Sequence, residues 1–395
     1  MVENMTKKNN LKHLKICFFS STSDKYGSEI SLLELIDTIK AMGADCCVVL
    51  PVKGALFYEM QKRNVEIIVC PIKNWARKKT HFFKSILRML YNICICIPLA
   101  IHLKKLKCNL IYSNTILVIC GAIVSIILRI PHIWHIHEFG FEDQKLKFDF
   151  GETLSCQIMS LTTQHFICIS KAIAQKYRPL LKHANLSIAY QSVSLIPQPL
   201  NPENIKNRFS EQSFRLIYMA QLTEGKRPFD AINATYLLKQ LKYDVNLTIL
   251  GSGAVSMMTQ LNQQICSLGI SDCVRFEGYT DYFYSFLTTS DICLVCSKKE
   301  GFGRAAIYAM KAGIPVIATN SGGTTEIVCH GVNGLLYPPG DSLGLAKCIL
   351  TLITNQTRLK NMGRQGKKWA DETFTQENYG RALEKILLSI SRTKV

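Results

Sequence analysis

Short, continuously apolar runs alternate with segments of helical periodicity along almost the whole chain, and few folds accommodate that pattern. KICFFS (15–20) and CCVVLP (46–51) are joined by SEISLLELIDTIKAMG (28–43), which stops at Gly43. EIIVCPI (66–72), NLIYSNT (109–115), HIWHIHE (132–138) and FICIS (166–170) continue the series. Strands apolar along their whole length must be covered on both faces, and strands separated by helices join in parallel. The chain is therefore α/β, with doubly wound parallel sheets. ILVICGAIVSIIL (116–128), thirteen residues and too short to cross a bilayer, reads as a helix covered on both sides.

The pattern breaks once, at SLIPQPLNPENIKNRFSEQSFR (194–215), where three prolines and many polar residues mark a linker. Beyond it the series restarts with RLIYMAQL (215–222), VNLTILGSG (245–253), VRFEGY (274–279), DICLVCS (291–297), IPVIAT (314–319) and GLLYPP (334–339). A length of 395 residues also exceeds what one core organises. Two Rossmann-like domains are expected, over 1–198 and 199–375. Residues 376–395 form a closing helix that is a candidate to return to the first domain. Open parallel sheets bind ligands at the carboxyl ends of their strands, so the expected site is a cleft across which the domains face each other.

The net charge of +18 is uneven. Residues 1–198 hold 25 Lys and Arg against 13 Asp and Glu, and residues 199–395 hold 22 against 16. Between Glu66 and Glu138 no residue is acidic and ten are basic. Within that span, KNWARKKTHFFKSILRMLYNICICIPLAIHLKKLK (73–107) has basic clusters flanking Phe82, Phe83, Ile86, Leu87, Leu90 and Tyr91. Spacings of three and four place these on one helical face. The face suits either an anionic membrane surface or ordinary packing with solvated basic ends. Asn92 and Pro98 argue against a spanning segment, and no stretch reads as a clean one. The basic span is interleaved with aliphatic residues and lacks aromatic stacking platforms, so nucleic acid is not an expected partner. MVENMTKKNNLKHLKICFFSS starts polar and basic without a signal-like apolar core, which predicts a cytoplasmic protein meeting the inner face of the membrane. Most of the sixteen cysteines sit singly in apolar runs, and only Cys293 and Cys296 have CxxC spacing; all read as buried, reduced thiols.

Several turns carry residue types that do chemistry. Glu300 follows the strand DICLVCS and opens a loop in which Gly301 and Gly303 flank Phe302 ahead of a short helix. Glycines let backbone approach a ligand, and a helix start offers N–H groups and partial positive charge, so an oxyanion fits there. A plain strand-to-helix turn with a surface glutamate has the same pattern. NSGGTTEIV (320–328) repeats it with Gly322 and Gly323, and two such turns side by side would enclose a diphosphate. Lys226 and Arg227, in LIYMAQLTEGKRPFDAI (216–232), follow a third strand end and supply cations, unless they are merely solvated. Gly27 and Ser28 lie between the first strand and its helix. HIWHIHEFG (132–140) puts His135 and His137 on one face, with Glu138 at the strand end. Two histidines without a third ligand fit hydrogen bonding to a polyhydroxylated substrate better than metal, and no metal site is expected. GSG (251–253) lacks the third glycine of a dinucleotide turn, with Ser256 in its place.

In this order the motifs resemble glycosyltransferase family 4, whose members have the GT-B fold of two Rossmann-like domains. The resemblance runs nearly the whole chain and is strongest over 291–340, where DICLVCSKKEGFGRAAIYAMKAGIPVIATNSGGTTEIVCHGVNGLLYPPG follows the family signature almost position by position. It implies a retaining, metal-independent transferase that moves a hexosyl or N-acetylhexosaminyl group from a UDP- or GDP-linked nucleotide sugar. The implied acceptor is a glycan or lipid-linked hydroxyl in surface polysaccharide biosynthesis, with no cofactor besides the donor. By position, Lys226 would neutralise the donor diphosphate, Glu300 would lie near the donor sugar, and the backbone of Phe302 and Gly303 would line sugar and phosphate. His137 would stand near the reaction centre, and Gly27 in a loop closing over the donor. Two departures stand out. The family's second glutamate, eight residues after the first, hydrogen-bonds the donor ribose; here that position is Tyr308, which lacks a carboxylate's two acceptor oxygens. Where the family often has an arginine beside the diphosphate this chain has Gln221, and Arg227 or Arg304 is the candidate substitute. Arg304 lies one turn before Tyr308 on the same helical face. A catalytically silent scaffold that keeps the fold is the alternative these departures leave open.

Overall fold

The computed structural model describes residues 10–182, 184–195 and 213–392. The chain divides into two compact units, residues 1–192 with 374–395, and residues 193–373. Most of the linker expected over 194–215, and the boundary expected at 198/199, lie outside the described residues.

The first unit begins with β1 (Lys15–Phe19), α1 (Gly27–Ala41), β2 (Asp45–Leu50), α2 (Ala55–Lys62) and β3 (Glu66–Val69). A two-residue strand, β4 (Ala76–Arg77), leads into the long helix α3 (Phe82–Lys105), then β5 (Leu110–Asn114), α4 (Cys120–Leu128) and β6 (His132–Ile136). After α5 (Phe141–Gln144) comes β7 (Lys147–Phe148), antiparallel to β4, followed by α6 (Glu152–Thr162), β8 (His165–Cys168), α7 (Lys171–Tyr177) and β9 (Leu186–Ile188). Seven strands form one parallel sheet in the order β3-β2-β1-β5-β6-β8-β9, so the chain winds outward from β1 first one way and then the other. Its apolar strands are sealed by helices: Phe18 and Tyr112 pack with Leu32 and Ile36 of α1. The last helix, α15 (Gln376–Arg392), closes the same core with Tyr379, Leu383 and Leu387.

The second unit repeats the plan on a six-stranded sheet, β12-β11-β10-β13-β14-β15. In chain order it runs β10 (Phe214–Met219), α8 (Pro228–Gln240), β11 (Val245–Leu250), α9 (Val255–Leu268), β12 (Val274–Gly278) and α10 (Phe283–Thr288). It continues through β13 (Ile292–Val295), α11 (Arg304–Lys311), β14 (Val316–Thr319), α12 (Thr324–Ile327), β15 (Gly334–Tyr337), α13 (Ser342–Ile353) and α14 (Gln356–Thr373). The GSG turn after β11 proves to be a packing device. A Cβ on Gly251 would lie 1.8 Å from the Ala220 carbonyl oxygen, so glycine is needed for strand-end loops to touch.

Three expectations need correction. Of the apolar run 116–128 only residues 120–128 are helical, and Ile126 and Ile127 are exposed, because α4 packs its other side on α3 and β5. Helix α3 is, by length and composition, long and apolar enough to cross a bilayer: 24 residues, with a mean hydropathy of 1.8 in its apolar window. Pro98 does not end it; a proline removes one backbone donor, and packing on α4 holds the helix through the gap. All cysteines are free thiols, most of them buried, but Cys94, Cys266 and Cys329 are exposed.

Candidate functional site

In the second unit the direction of winding reverses between β10 and β13. Loops leaving the carboxyl ends of two such strands part in opposite directions and leave a crevice. The loop after β10 carries Lys226; the loop after β13 carries Glu300, Gly301, Phe302 and Gly303. Backbone ties the loops together, the Lys298 amide donating to the Gly225 carbonyl at 2.8 Å. The buried Tyr218 hydroxyl donates to the Lys226 carbonyl at 2.8 Å and fixes the lysine's position. Lys226 Nζ stands 2.7 Å from Glu300 Oε2, which also accepts from Ser297 Oγ at 2.6 Å.

The turn after β14 lies against this pair. The Gly323 amide donates to the Glu300 carbonyl at 2.7 Å, and Glu300 and Gly322 form an isolated parallel bridge. Contact this close excludes side chains. A Cβ on Gly322, whose φ is +65°, would sit 2.3 Å from the Glu300 carbonyl oxygen, and one on Gly323 would sit 2.5 Å from that of Gly301. The Thr324 hydroxyl closes the turn on the Thr319 carbonyl at 2.6 Å. No side chain caps α11 at Gly303, so the positive end of its dipole acts on whatever enters the loop. Helix α12 is a single turn of four residues with Glu326 inside it, so this second turn offers glycine backbone rather than a helix dipole.

Charge is balanced within the site. Burial pushes the Glu300 carboxyl upward, but attraction to Lys226, with hydrogen bonds from Lys226 and Ser297, outweighs it and holds the group below the usual carboxylate range. Glu300 is thus an ionised acceptor at neutral pH. Arg227 turns aside: it makes a two-pronged bond to the buried Asp230 carboxylate at 2.6 and 2.8 Å, and its guanidinium lies against Gly340. Arg304 and Tyr308 come together, a guanidinium N–H donating to the Tyr308 hydroxyl at 2.7 Å. Phe283 of α10 packs on the Tyr308 ring with centroids 4.8 Å apart. Sequence reasoning missed Ser297 and Phe283, which nothing in the local pattern distinguishes from ordinary loop and helix residues.

In the first unit the corresponding reversal lies between β1 and β5. Gly27 opens α1, and a Cβ there would meet nothing within 4 Å. The Asn114 side-chain amide donates to the Ser28 carbonyl at 3.2 Å, joining the end of β5 to the start of α1. His135 and His137 do share a face, with ring centroids 4.2 Å apart. His135 Nδ1 pairs with the Tyr112 hydroxyl at 2.9 Å, and burial, then the charge of His137, holds it well below its usual value and therefore neutral. The Gln191 side-chain amide donates to His137 Nδ1 at 3.1 Å, which leaves the ring proton on Nε2. Two buried carboxyls accompany them. Burial raises Glu29 to about 7, and burial, then the nearby Asp143, raises Glu138 to about 8. Glu29 and Gln191 escaped the sequence reading because they come from segments far from the histidines. Among the described residues no group of three or more His, Cys, Asp or Glu side chains is placed to hold a metal ion.

Residues 201–369 match the family model for glycosyl transferases group 1. The chain is similar to N-acetyl-alpha-D-glucosaminyl L-malate synthase of Bacillus anthracis, 31% identical over 183 residues, which is 46% of this chain and 47% of that one. It is also similar to the amylovoran biosynthesis glycosyltransferase AmsK of Erwinia amylovora, 29% identical over 208 residues, 50% of this chain and 51% of the relative. The chain spans about half the length of these curated relatives. Anabaena HepE, solved in complex with UDP and glucose, superimposes with a TM-score of 0.79 at 21% identity, covering 95% of this chain and 100% of HepE. Sucrose-phosphate synthase from Thermosynechococcus elongatus gives 0.76 at 16% identity, over 96% and 100%. These likenesses show the fold: two Rossmann-like parallel sheets, as in the GT-B glycosyltransferases.

Proposed function

We propose that the protein is a retaining, metal-independent glycosyltransferase of family 4. It moves a hexosyl or N-acetylhexosaminyl group from a UDP- or GDP-linked donor to a glycan or lipid-linked acceptor, in surface polysaccharide biosynthesis on the cytoplasmic side of the membrane. The observation that carries this reading is the meeting of two glycine turns with the Lys226–Glu300 pair at the reversal point of the second sheet. The relatives support it, since HepE was solved in complex with UDP and glucose and AmsK is a glycosyltransferase of amylovoran biosynthesis.

In this reading the leaving diphosphate develops negative charge, and Lys226 Nζ, the glycine-turn amides and the start of α11 meet it without reorganising. Glu300 accepts from a hydroxyl of the donor sugar, a role its ionised state permits. Within the first unit, His137, oriented by Gln191, offers Nε2–H as a donor to a sugar oxygen, and Gly27 leaves open space at the start of α1. Tyr308 stands in for the ribose-bonding carboxylate of the family pattern, and Arg304, which donates to its hydroxyl, for the arginine beside the diphosphate. Turnover of a panel of UDP- and GDP-sugars by the full chain tests the proposal, with Glu300→Ala and Lys226→Ala as controls. Normal turnover in both variants refutes the assigned roles. Absence of any nucleotide binding at millimolar concentration instead identifies a silent scaffold.

A further inference from the structure

We infer that the first unit docks on an anionic membrane through the outer side of α3 and the apolar groove that α3 forms with α4 and α6. Phe83, Leu87, Leu90, Ile97 and Ile101 succeed one another at intervals of four, three, seven and four, so they lie in one stripe along about 27 Å of helix. Their exposures are 80, 67, 53, 49 and 56%. Scattered exposed apolar side chains are ordinary, but an unbroken stripe of this length marks a docking surface. Beside it, Ile93, Ile123, Ile126, Leu154 and Ile158 line a groove of about 410 Å³ that no charged residue borders.

Charge decides the occupant. Lys78, Lys79 and Lys84 stand at one end of the stripe and Lys104, Lys105 and Lys107 at the other, within a span that has no acidic residue from 67 to 137. A second copy docked here about a two-fold axis would press these cations against copies of themselves, whereas anionic lipid headgroups answer both ends at once. The acidic residue at the start of α6, Glu152, is already paired with Lys176 at 2.8 Å.

The contact is interfacial although α3 is long enough to cross. Its inner side is pinned by polar bonds: Asn92 accepts from the Lys73 amide at 3.0 Å and donates to the Lys73 carbonyl at 2.8 Å. Ser85 Oγ donates to the buried Asp149 at 2.8 Å, and Arg88 pairs with the same carboxylate. Spanning would strip all of these and uncover the face of α4 that α3 covers. A helix anchored by polar groups inward and apolar outward lies in the headgroup layer.

The inference is independent of the reaction proposed above and is tested by vesicle flotation of the full chain. We expect flotation with phosphatidylcholine vesicles holding roughly one-third phosphatidylglycerol, none with phosphatidylcholine alone, and release by an alkaline carbonate wash. Leu87→Gln/Leu90→Gln/Ile97→Gln is expected to lower binding at least about tenfold with an unchanged melting temperature, since all three sites are exposed. Lys78→Gln/Lys79→Gln/Lys84→Gln should weaken binding to a similar degree, as should about 0.5 M salt. The inference is overturned if the wild type stays unbound, if the apolar triple variant floats as well as the wild type, or if bound protein survives the carbonate wash. It also falls if the wild type is a dimer that the apolar variant dissociates while neither floats.

Discussion

Both units carry polar residues at the strand ends beside the reversal point of a parallel sheet, yet they hold them by different means. In the second unit, Glu300 to Gly303 and Gly322 to Gly323 lie within 24 residues of sequence and touch backbone to backbone. In the first, Glu29, Asn114, His137, Glu138 and Gln191 come from segments spread over more than 160 residues and meet through side chains. Backbone contact yields an ionised carboxylate held by a cation. Side-chain assembly in a buried setting yields a neutral histidine and carboxyls raised toward neutrality. One kind of sheet thus supports a fixed ion pair at one reversal point and a nearly neutral group of hydrogen-bonding side chains at the other.

Substitutions test that contrast. The largest effect is expected from Gly323→Ala, whose methyl collides with the Gly301 carbonyl: about 2–4 kcal/mol of stability and on the order of a thousandfold in donor turnover, read by thermal melting and assay. Unchanged melting would show that the two turns do not depend on each other. Next comes Glu300→Ala, for which we expect about a hundredfold loss of turnover with a smaller loss of stability, because Lys226 keeps its exposed portion in water. Glu138 provides a readout in the first unit. Its folded pKa of about 8 lies above the ordinary carboxylate value, so between the two the folded state binds a proton that the unfolded chain has lost. Stability therefore falls as pH rises through that window, by on the order of a few kcal/mol, and levels off above it. Glu138→Gln should flatten the profile in a pH series of denaturant titrations; a slope that persists would mean that other groups set it.

The smaller effects sharpen the comparison. Tyr308→Phe removes the hydroxyl to which Arg304 donates, and calorimetry is expected to show about a tenfold weaker donor without a change in melting. Gly27→Ala should leave the melting temperature unchanged, since its Cβ meets open space. A several-fold weaker donor in that variant would come from crowding of the ligand alone, which cleanly separates a glycine kept for binding from glycines kept for folding.

Much of the architecture was legible because strands such as KICFF and ICLV are apolar on both sides, as burial between helix layers requires. The second unit's turns were equally legible, since glycines at Gly322 and Gly323 have no other use than close approach. Less visible were facts that depend on distant partners. Nothing local in 116–128 reveals which side α4 leaves bare. The Arg227–Asp230 pair, by contrast, is local: the two stand three residues apart, a spacing that brings side chains together. Periodicity found the apolar stripe of α3 but not how far the helix runs beyond Pro98, because whether a helix passes a proline depends on the support behind it.

The closing helix has a further implication for biogenesis. Tyr379, Leu383 and Leu387 complete a core whose members outside this helix, from Leu11 to Ala189, are all synthesised before the second unit begins. On the ribosome, the half of the protein that emerges first must wait unsealed while the half that emerges second, an uninterrupted stretch, is free to finish. A released chain ending at residue 373 should accordingly protect the later-made unit from protease while leaving the earlier one open to attack.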